Sequence, residues 1–180
     1  WSEDQAGIMA KTNDIHQKLS EHLTGLQKLN PDAVFSEELL KGLPEKFLSG
    51  ADQVNGGWGR QQKFPQPSHL RFLLRGEGAG RDFAVKTCRK MMEGGIHDQI
   101  GGGFHRYTVD PVWLVPHFEK MLYDQAQLLD VYVEAWQVTN DMQFRETAVA
   151  IADYVLEELT HKEGGFFSAQ DAQSEGKEGK

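Results

Sequence analysis

The sequence predicts a mainly α-helical chain, a partial α/α toroid whose helical hairpins are joined by glycine-rich loops with short β segments. Three observations lead there. Apolar residues recur at helical spacing through most of the chain. Strand-like runs are confined to "FHRYTV" and "GFFSA". A Gly-Gly-aromatic element also returns three times after a helical stretch, as "GGWG" at Trp58, "GGFH" at Phe104 and "GGFF" at Phe166. These aromatics lie 46 and 62 residues apart, room for a helix pair and a loop each time, and the uneven spacing excludes a tight solenoid.

Element by element, Ile8, Ile15, Leu19, Leu23 and Leu26 mark a helix from Asp4 to about Leu29, stopped by Asn30-Pro31. Ser36 precedes "EELLKGLPEKFL", a second helix or two short ones. Its Leu39 and Leu40 are expected inside, and Pro44 as a break or kink. Residues 55–67 are punctuated by Gly and Pro and read as a structured loop, after which Ser68 is expected to cap "HLRFLLR". A helix from about Arg81 to Glu93 carries Cys88 in an apolar pattern, where a buried structural thiol is expected. Pro116 suits the first position of a long helix reaching about Val138, with Phe118, Leu122, Leu129, Val133 and Trp136 on its core side. Phe144, Ala148, Ile151, Ala152, Val155, Leu156 and Leu159 place another helix between Met142 and about Thr160. The expected organisation is an N-terminal helical segment over 1–50 leading into the first toroid hairpins over 51–180. The opening on Trp1 and the closing "SEGKEGK" read as the edges of a piece of a longer chain.

Composition narrows the function classes. The 180 residues carry a formal net charge of −8, without a dense Lys/Arg block, which argues against nucleic acid as a partner. The lone cysteine fits a reducing compartment, and the absence of a span-length apolar run or a signal-like start makes the expected location cytoplasmic. No Cys/His spacing suggests zinc, neither a P-loop nor G-x-S-x-G occurs, and no metal or cofactor is expected. "GEGAGRDF" lacks the preceding strand of a nucleotide fingerprint and reads as a turn between helices.

Over Gly56 to Gly176 the segments "KFPQPSHLRFLL", "GGIHDQIGGGFHRYTVDPVWLVPHFEKMLYDQAQLL" and "GGFFSAQDAQSEG" closely resemble the family of the spermatogenesis-associated thioredoxin-like protein and the bacterial YyaL-type proteins. The resemblance implies an (α/α)6 domain similar to N-acylglucosamine 2-epimerase and the six-hairpin glycosidases, following an N-terminal thioredoxin-like domain. It further implies a sugar or glycan ligand, with the thioredoxin-like domain as a covalent partner. Gln170 and Gln173 stand where the family's acidic loop commonly has carboxylates.

The stretch from Gly94 to Asp110 gathers His97, Asp98, His105, Arg106 and Tyr107 among glycines. On the helix expected from Pro116, His117, Lys120, Asp124 and Gln127 form one polar stripe flanked by Glu119 and Tyr123. Abstracting a proton beside a carbonyl wants an imidazole that titrates near neutrality and a cation at the developing oxyanion, which His105 or His117 with Arg106 can supply. The candidate catalytic set is therefore His105, Arg106, His117, Glu119, Tyr123, Asp124 and Asp171. Trp58, His97, Phe104, Tyr107, Trp113, Lys120 and Phe166 are the candidate substrate contacts. Each has a structural counterpart: Lys120 with Asp124 as an i,i+4 pair, Asp98 as a turn cap, Asp171 as an exposed loop carboxylate, the aromatics as core plugs. The leading expectation is a carbohydrate-active segment, epimerase-like or glycosidase-like. The alternatives are a noncatalytic ligand- or protein-binding scaffold for the thioredoxin-like domain, and redox activity residing in that domain. Uncovered apolar helix faces make self-association of the segment an expectation too.

Overall fold

The computed structural model describes residues 4–26 and 36–178. They form six helices and six two-residue strands: α1 (Gln5–Leu26), α2 (Glu37–Ser49), α3 (Pro67–Arg75), α4 (Ala79–Glu93), β1 (Tyr107–Thr108), β2 (Pro116–His117), β3 (Lys120–Met121), α5 (Leu122–Thr139), α6 (Met142–Glu158), β4 (Ala169–Gln170), β5 (Gln173–Ser174) and β6 (Lys177–Glu178). The expected stop of the first helix at Asn30-Pro31 lies outside the described residues. The chain divides into two compact units between Leu40 and Lys41, inside α2. In the first, α1 presents Ile8, Ile15, Leu19 and Leu23 exposed along one side. Among the described residues no helix is long and apolar enough to cross a membrane.

The second unit holds the core. Helix α3 packs on α4 and α5, and α5 packs on α6. Leu70, Leu73 and Leu74 of α3 meet Phe83, Ala84, Cys88 and Met91 of α4, with Leu128, Val131, Tyr132 and Ala135 of α5 and Phe144, Ala148 and Ile151 of α6. Both i,i+3 and i,i+4 steps appear in each set, the spacing that puts side chains on one helix face. Burial pushes the Cys88 thiol up to about 12, as befits a structural cysteine. Helices α5 and α6 turn on two residues: Asn140, left-handed at φ 57°, closes α5, and Asp141 caps α6 by accepting the Gln143 N–H.

Three sequence expectations change, and the alternatives for α2 resolve to one helix. Leu39 and Leu40 are exposed, because α2 buries its later turn, where Phe47 and Leu48 pack on the core. Pro44 lies inside α2 without ending it. The cap position of α3 belongs to Gln66, at φ 51°, with Pro67 as first helical residue; Ser68 is the second helical residue, two positions past the cap. The long helix starts at Leu122, not at Pro116. Residues 116–121 are extended instead, because their backbone groups are drawn into pairing: β2 with β1, β3 with β4. The core side of α5 is accordingly Leu128, Val131, Tyr132 and Ala135, while Phe118 is exposed and Leu129, Val133 and Trp136 are only partly buried. Leu129 instead lines an open apolar groove of about 420 Å³ with Leu122, Ala126, Val155, Leu156 and Phe166.

The Gly-Gly-aromatic repeat is a structural one. Each aromatic bridges back to the residue that opens its loop: Ala51 with Trp58, His97 with Phe104, Thr160 with Phe166. The second residue of each loop, Asp52, Asp98 or His161, donates its N–H to the glycine just before the aromatic, at 2.8, 3.0 and 3.0 Å. The close approach excludes a side chain at Gly103: φ is +73°, and a Cβ there would lie 2.6 Å from the Tyr154 ring.

Candidate functional site

The site grows out of the second of these loops, "HDQIGGGF". Asp98 Oδ1 accepts the Ile100 and Gly101 N–H groups at 3.0 and 2.9 Å, so Asp98 caps the turn and does not orient His97. His97 is held instead by the Met92 carbonyl, 3.1 Å from Nδ1, and its ring stacks on Phe104. Burial lowers its pKa. Gln125 of α5 fastens the loop's end, accepting the Phe104 N–H at 2.8 Å and donating to the Phe104 carbonyl at 2.6 Å.

His105 follows at once, its N–H on the Ile96 carbonyl at 2.8 Å, and Arg106 donates its N–H to the Glu119 carbonyl at 2.8 Å. These bonds send alternate side chains to different surroundings. His105 is 6% exposed and reaches a cavity of about 380 Å³ lined by Asp98, Lys120, Gln170, Asp171 and Ser174 as well. Burial first, then the nearby Lys120 charge, pushes its imidazole down to about 4, so it is neutral at pH 7. Its Nδ1 is buried and has no hydrogen-bond partner among the described residues.

Arg106 pairs with Glu119 at 2.9 Å, and His117 Nε2 stands 3.9 Å from the same carboxylate. Across the β1–β2 register Tyr107 faces His117, the rings stacked at 4.7 Å, and the Phe64 ring lies 4.9 Å from that of Tyr107. Asp124 lies in the first turn of α5. Burial raises its carboxyl to about 6, with Glu119 adding to the rise and Arg106 opposing it, and its Oδ2 is buried without a partner among the described residues. Among the described residues no three His, Cys, Asp or Glu side chains gather as a metal site.

The structure thus brings His105 into one cavity with Asp171, and Arg106, His117 and Glu119 together, with the Arg106–Glu119 charges acting on Asp124. Tyr123 is about half exposed and reaches Arg106 electrostatically. The polar stripe on a helix does not exist, since His117, Glu119 and Lys120 precede α5. Lys120 pairs with Asp98 at 2.8 Å rather than with Asp124.

The aromatic candidates divide. Phe104 and Trp113 are fully buried, and Trp58 packs among Phe47, His69 and Phe83 with its N–H on the Phe47 carbonyl. Such rings have little or no face left for a sugar, so these three plug the core. Phe166 is exposed but lines the apolar groove rather than the His105 cavity. Tyr107 is half-buried and remains beside His117. Sequence reading missed Gln125, whose signal is a long polar side chain on an apolar helix next to the loop-bearing motif, and Lys63, which grips the first loop.

The raised Asp124 carboxyl carries a sign for stability. Its folded midpoint near 6 exceeds the ordinary value of 3.8, so the folded state resists ionisation that the unfolded chain accepts freely. Stability from this group falls as pH rises from about 4 to 6, and the cost is complete above that. Asp124→Asn is expected to stabilise the protein at pH 7.5 by about 1–2 kcal/mol, allowing for partial solvation. The gain should shrink toward zero at pH 4, read from thermal unfolding at both pH values; a loss of stability at pH 7.5 would show the carboxylate to be a structural anchor.

No family model matches the chain. In structure it resembles cellobiose 2-epimerase of Spirochaeta thermophila DSM 6192, with a TM-score of 0.59 and 17% identity over 76% of this chain and 41% of that one. The cellobiose 2-epimerase of Bacillus thermoamylovorans B4167 gives a TM-score of 0.62 and 15% identity over 74% of this chain and 40% of that one. The fold is therefore that of an epimerase-like (α/α)6 toroid, in part. In sequence the chain is 37% identical over 187 aligned residues to spermatogenesis-associated protein 20 of Rattus norvegicus, covering 97% of this chain and 23% of the relative. Over those residues it is a homologue of that protein, and it spans about a quarter of that relative's length.

Proposed function

We propose that this segment supplies acid–base groups to a carbohydrate-active toroid that moves a proton beside the carbonyl of an open-chain sugar. The observation that carries the reading is a pair of buried groups with opposite tuning and an unused polar atom each: His105, kept neutral, and Asp124, kept partly protonated. The His105 imidazole takes the proton from the carbon next to the carbonyl, and the electron pair of the broken C–H bond moves toward the carbonyl oxygen. Arg106, partly exposed beside Glu119, offers its guanidinium to the resulting enediolate. In this reading the protonated Asp124 carboxyl returns a proton to the opposite face of that carbon and inverts the centre. The epimerase-like scaffold supports a sugar as the substrate class, by analogy of fold. Asp171 lines the same cavity as His105, which supports it as the acceptor for a sugar hydroxyl in this reading.

The test uses the full-length protein in deuterated water with free aldoses and N-acyl hexosamines. Deuterium entering C2, read by proton NMR, is expected, with a 10²- to 10⁴-fold slower rate in His105→Asn. Absence of exchange across the panel, in protein that folds, would sink the catalytic reading. It would favour the noncatalytic scaffold for a thioredoxin-like domain, which the architectural use of Lys120 and His97 supports.

A further inference from the structure

The first two loops are copies of one fastening. "ADQVNGGW" over 51–58 and "HDQIGGGF" over 97–104 share Asp-Gln, a β-branched residue, Gly-Gly and an aromatic at the same offsets. Asp52 Oδ1 accepts the Val54 and Asn55 N–H groups, just as Asp98 Oδ1 accepts those of Ile100 and Gly101. Each second carboxylate oxygen receives a buried lysine, Lys63 at 2.7 Å and Lys120 at 2.8 Å. Each lysine also donates to the carbonyl four residues beyond its aspartate, Gly56 at 2.7 Å and Gly102 at 2.9 Å. Both ammonium groups lie over an aromatic ring, Trp113 at 5.3 Å and Tyr154 at 4.2 Å. What differs is the next residue: Gly59 follows Trp58, whereas His105 follows Phe104.

We propose that Lys120 is a positioning residue for His105: gripping Asp98 and the Gly102 carbonyl, it fixes the loop that delivers the imidazole to its cavity and sets the charge the imidazole faces. Lys63 performs the same fastening in a loop that delivers no imidazole. A buried lysine whose charge is already matched by a carboxylate and a carbonyl binds substrate poorly, so this assignment replaces the role of substrate contact for Lys120. The functional consequence rests on the acid–base reading of His105; the structural assignment does not, and its test needs no activity.

The charged and titratable groups facing His105 are Lys120 from β3, Asp98 from its own loop, His117 from β2 and Asp171 after β4. Lys120 opposes a proton on His105 and Asp98 favours one, so their removal acts in opposite senses. A merely loosened loop would instead let water in and carry the imidazole toward its ordinary value in both cases. The experiment is a histidine NMR titration of the full-length protein labelled with [13C]histidine, the His105 signal assigned by its loss in His105→Asn. Lys120→Met is expected to raise the His105 midpoint by about one pH unit. Asp98→Asn, whose side-chain oxygen still accepts the loop N–H groups, should leave it at or below about 4. Lys63→Met should leave it unchanged. Lys120→Gln takes the place of the methionine variant if that one does not fold, and Asp98→Asn decides alone if neither does. The proposal fails if Lys120 variants leave the midpoint in place, if Lys63→Met moves it equally, or if Asp98→Asn raises it.

Discussion

Lys63→Met is expected to lower folding stability at pH 7 by about 3–5 kcal/mol, a large part of what holds a domain of this size together. Lys63 is fully buried, with its ammonium on Asp52 and the Gly56 carbonyl. Methionine matches the length of the stem but leaves a carboxylate and a carbonyl facing an apolar thioether, and it is that desolvated remainder, more than the lost attraction, that costs so much. Burial pushes the Asp52 carboxyl up, yet hydrogen bonds from Lys63, Asn55 and Val54 outweigh it and hold the group well below the usual carboxylate range. A lowered folded midpoint means the contribution is complete above about pH 4 and is lost as pH falls further. Chemical denaturation at pH 7 measures the effect. Adding Asp52→Asn to Lys63→Met should cost less than the two singles together, because the second change removes the charge the first stranded. A cost below 1 kcal/mol for Lys63→Met would mean that water or a shifted side chain satisfies Asp52, and the fastening would lose its structural meaning.

Trp113→Ala should have an effect of similar size, about 3–5 kcal/mol. The indole is fully buried, its N–H donates to the Asn55 carbonyl at 3.0 Å, and it lies under Lys63 and against Gly57. Its backbone sits at φ +67°, a conformation that tryptophan adopts only because the surrounding contacts impose it. Alanine keeps that backbone strain and removes what compensates it. Leu114→Ala, one residue along and 64% exposed, is the control, expected within about 0.5 kcal/mol of the parent. Equal losses in the two variants would point to disruption of the turn rather than of the indole's packing.

Asp124 tells a different story from Asp52 and Asp98. The latter two carboxylates are gripped by lysines and held low; Asp124 is buried, pushed up to about 6 and left with an idle oxygen. A carboxylate that costs stability where it stands is the kind of group whose place function explains better than folding does. Its neighbourhood with Arg106 and Glu119 supports the acid–base reading independently of the fold.

How much of this was legible beforehand follows from what local patterns report. The spacing of Phe83, Cys88, Met91 and of Phe144, Ala148, Ile151 marked α4 and α6, since a helix face is a property of neighbours three and four apart. The recurrence of Gly-Gly-aromatic marked the three loops, and the long motif from Gly94 marked where His105, Arg106, His117, Glu119 and Asp124 would gather. The start of α5 was not legible. Pro116 is equally at home in a first helical turn and at the end of a strand, and partners eight to ten residues away in β1 and far along in β4 made the choice. The same is true of the aromatics: the sequence names Trp113 and Tyr107 alike, and only packing buries one and leaves the other beside an imidazole.

By itself, then, the sequence determined the helical hairpins, the glycine loops between them, the family resemblance, and the short list of groups able to carry protons, because each depends on residue type and near-neighbour spacing. Tertiary structure alone decided which lysine meets which aspartate, which imidazole is stripped of water, and which carboxyl is left without a partner. Those are outcomes of distance and desolvation, set by residues 11 to 22 positions apart in the two fastenings and further still across β3 and β4. No local pattern encodes them.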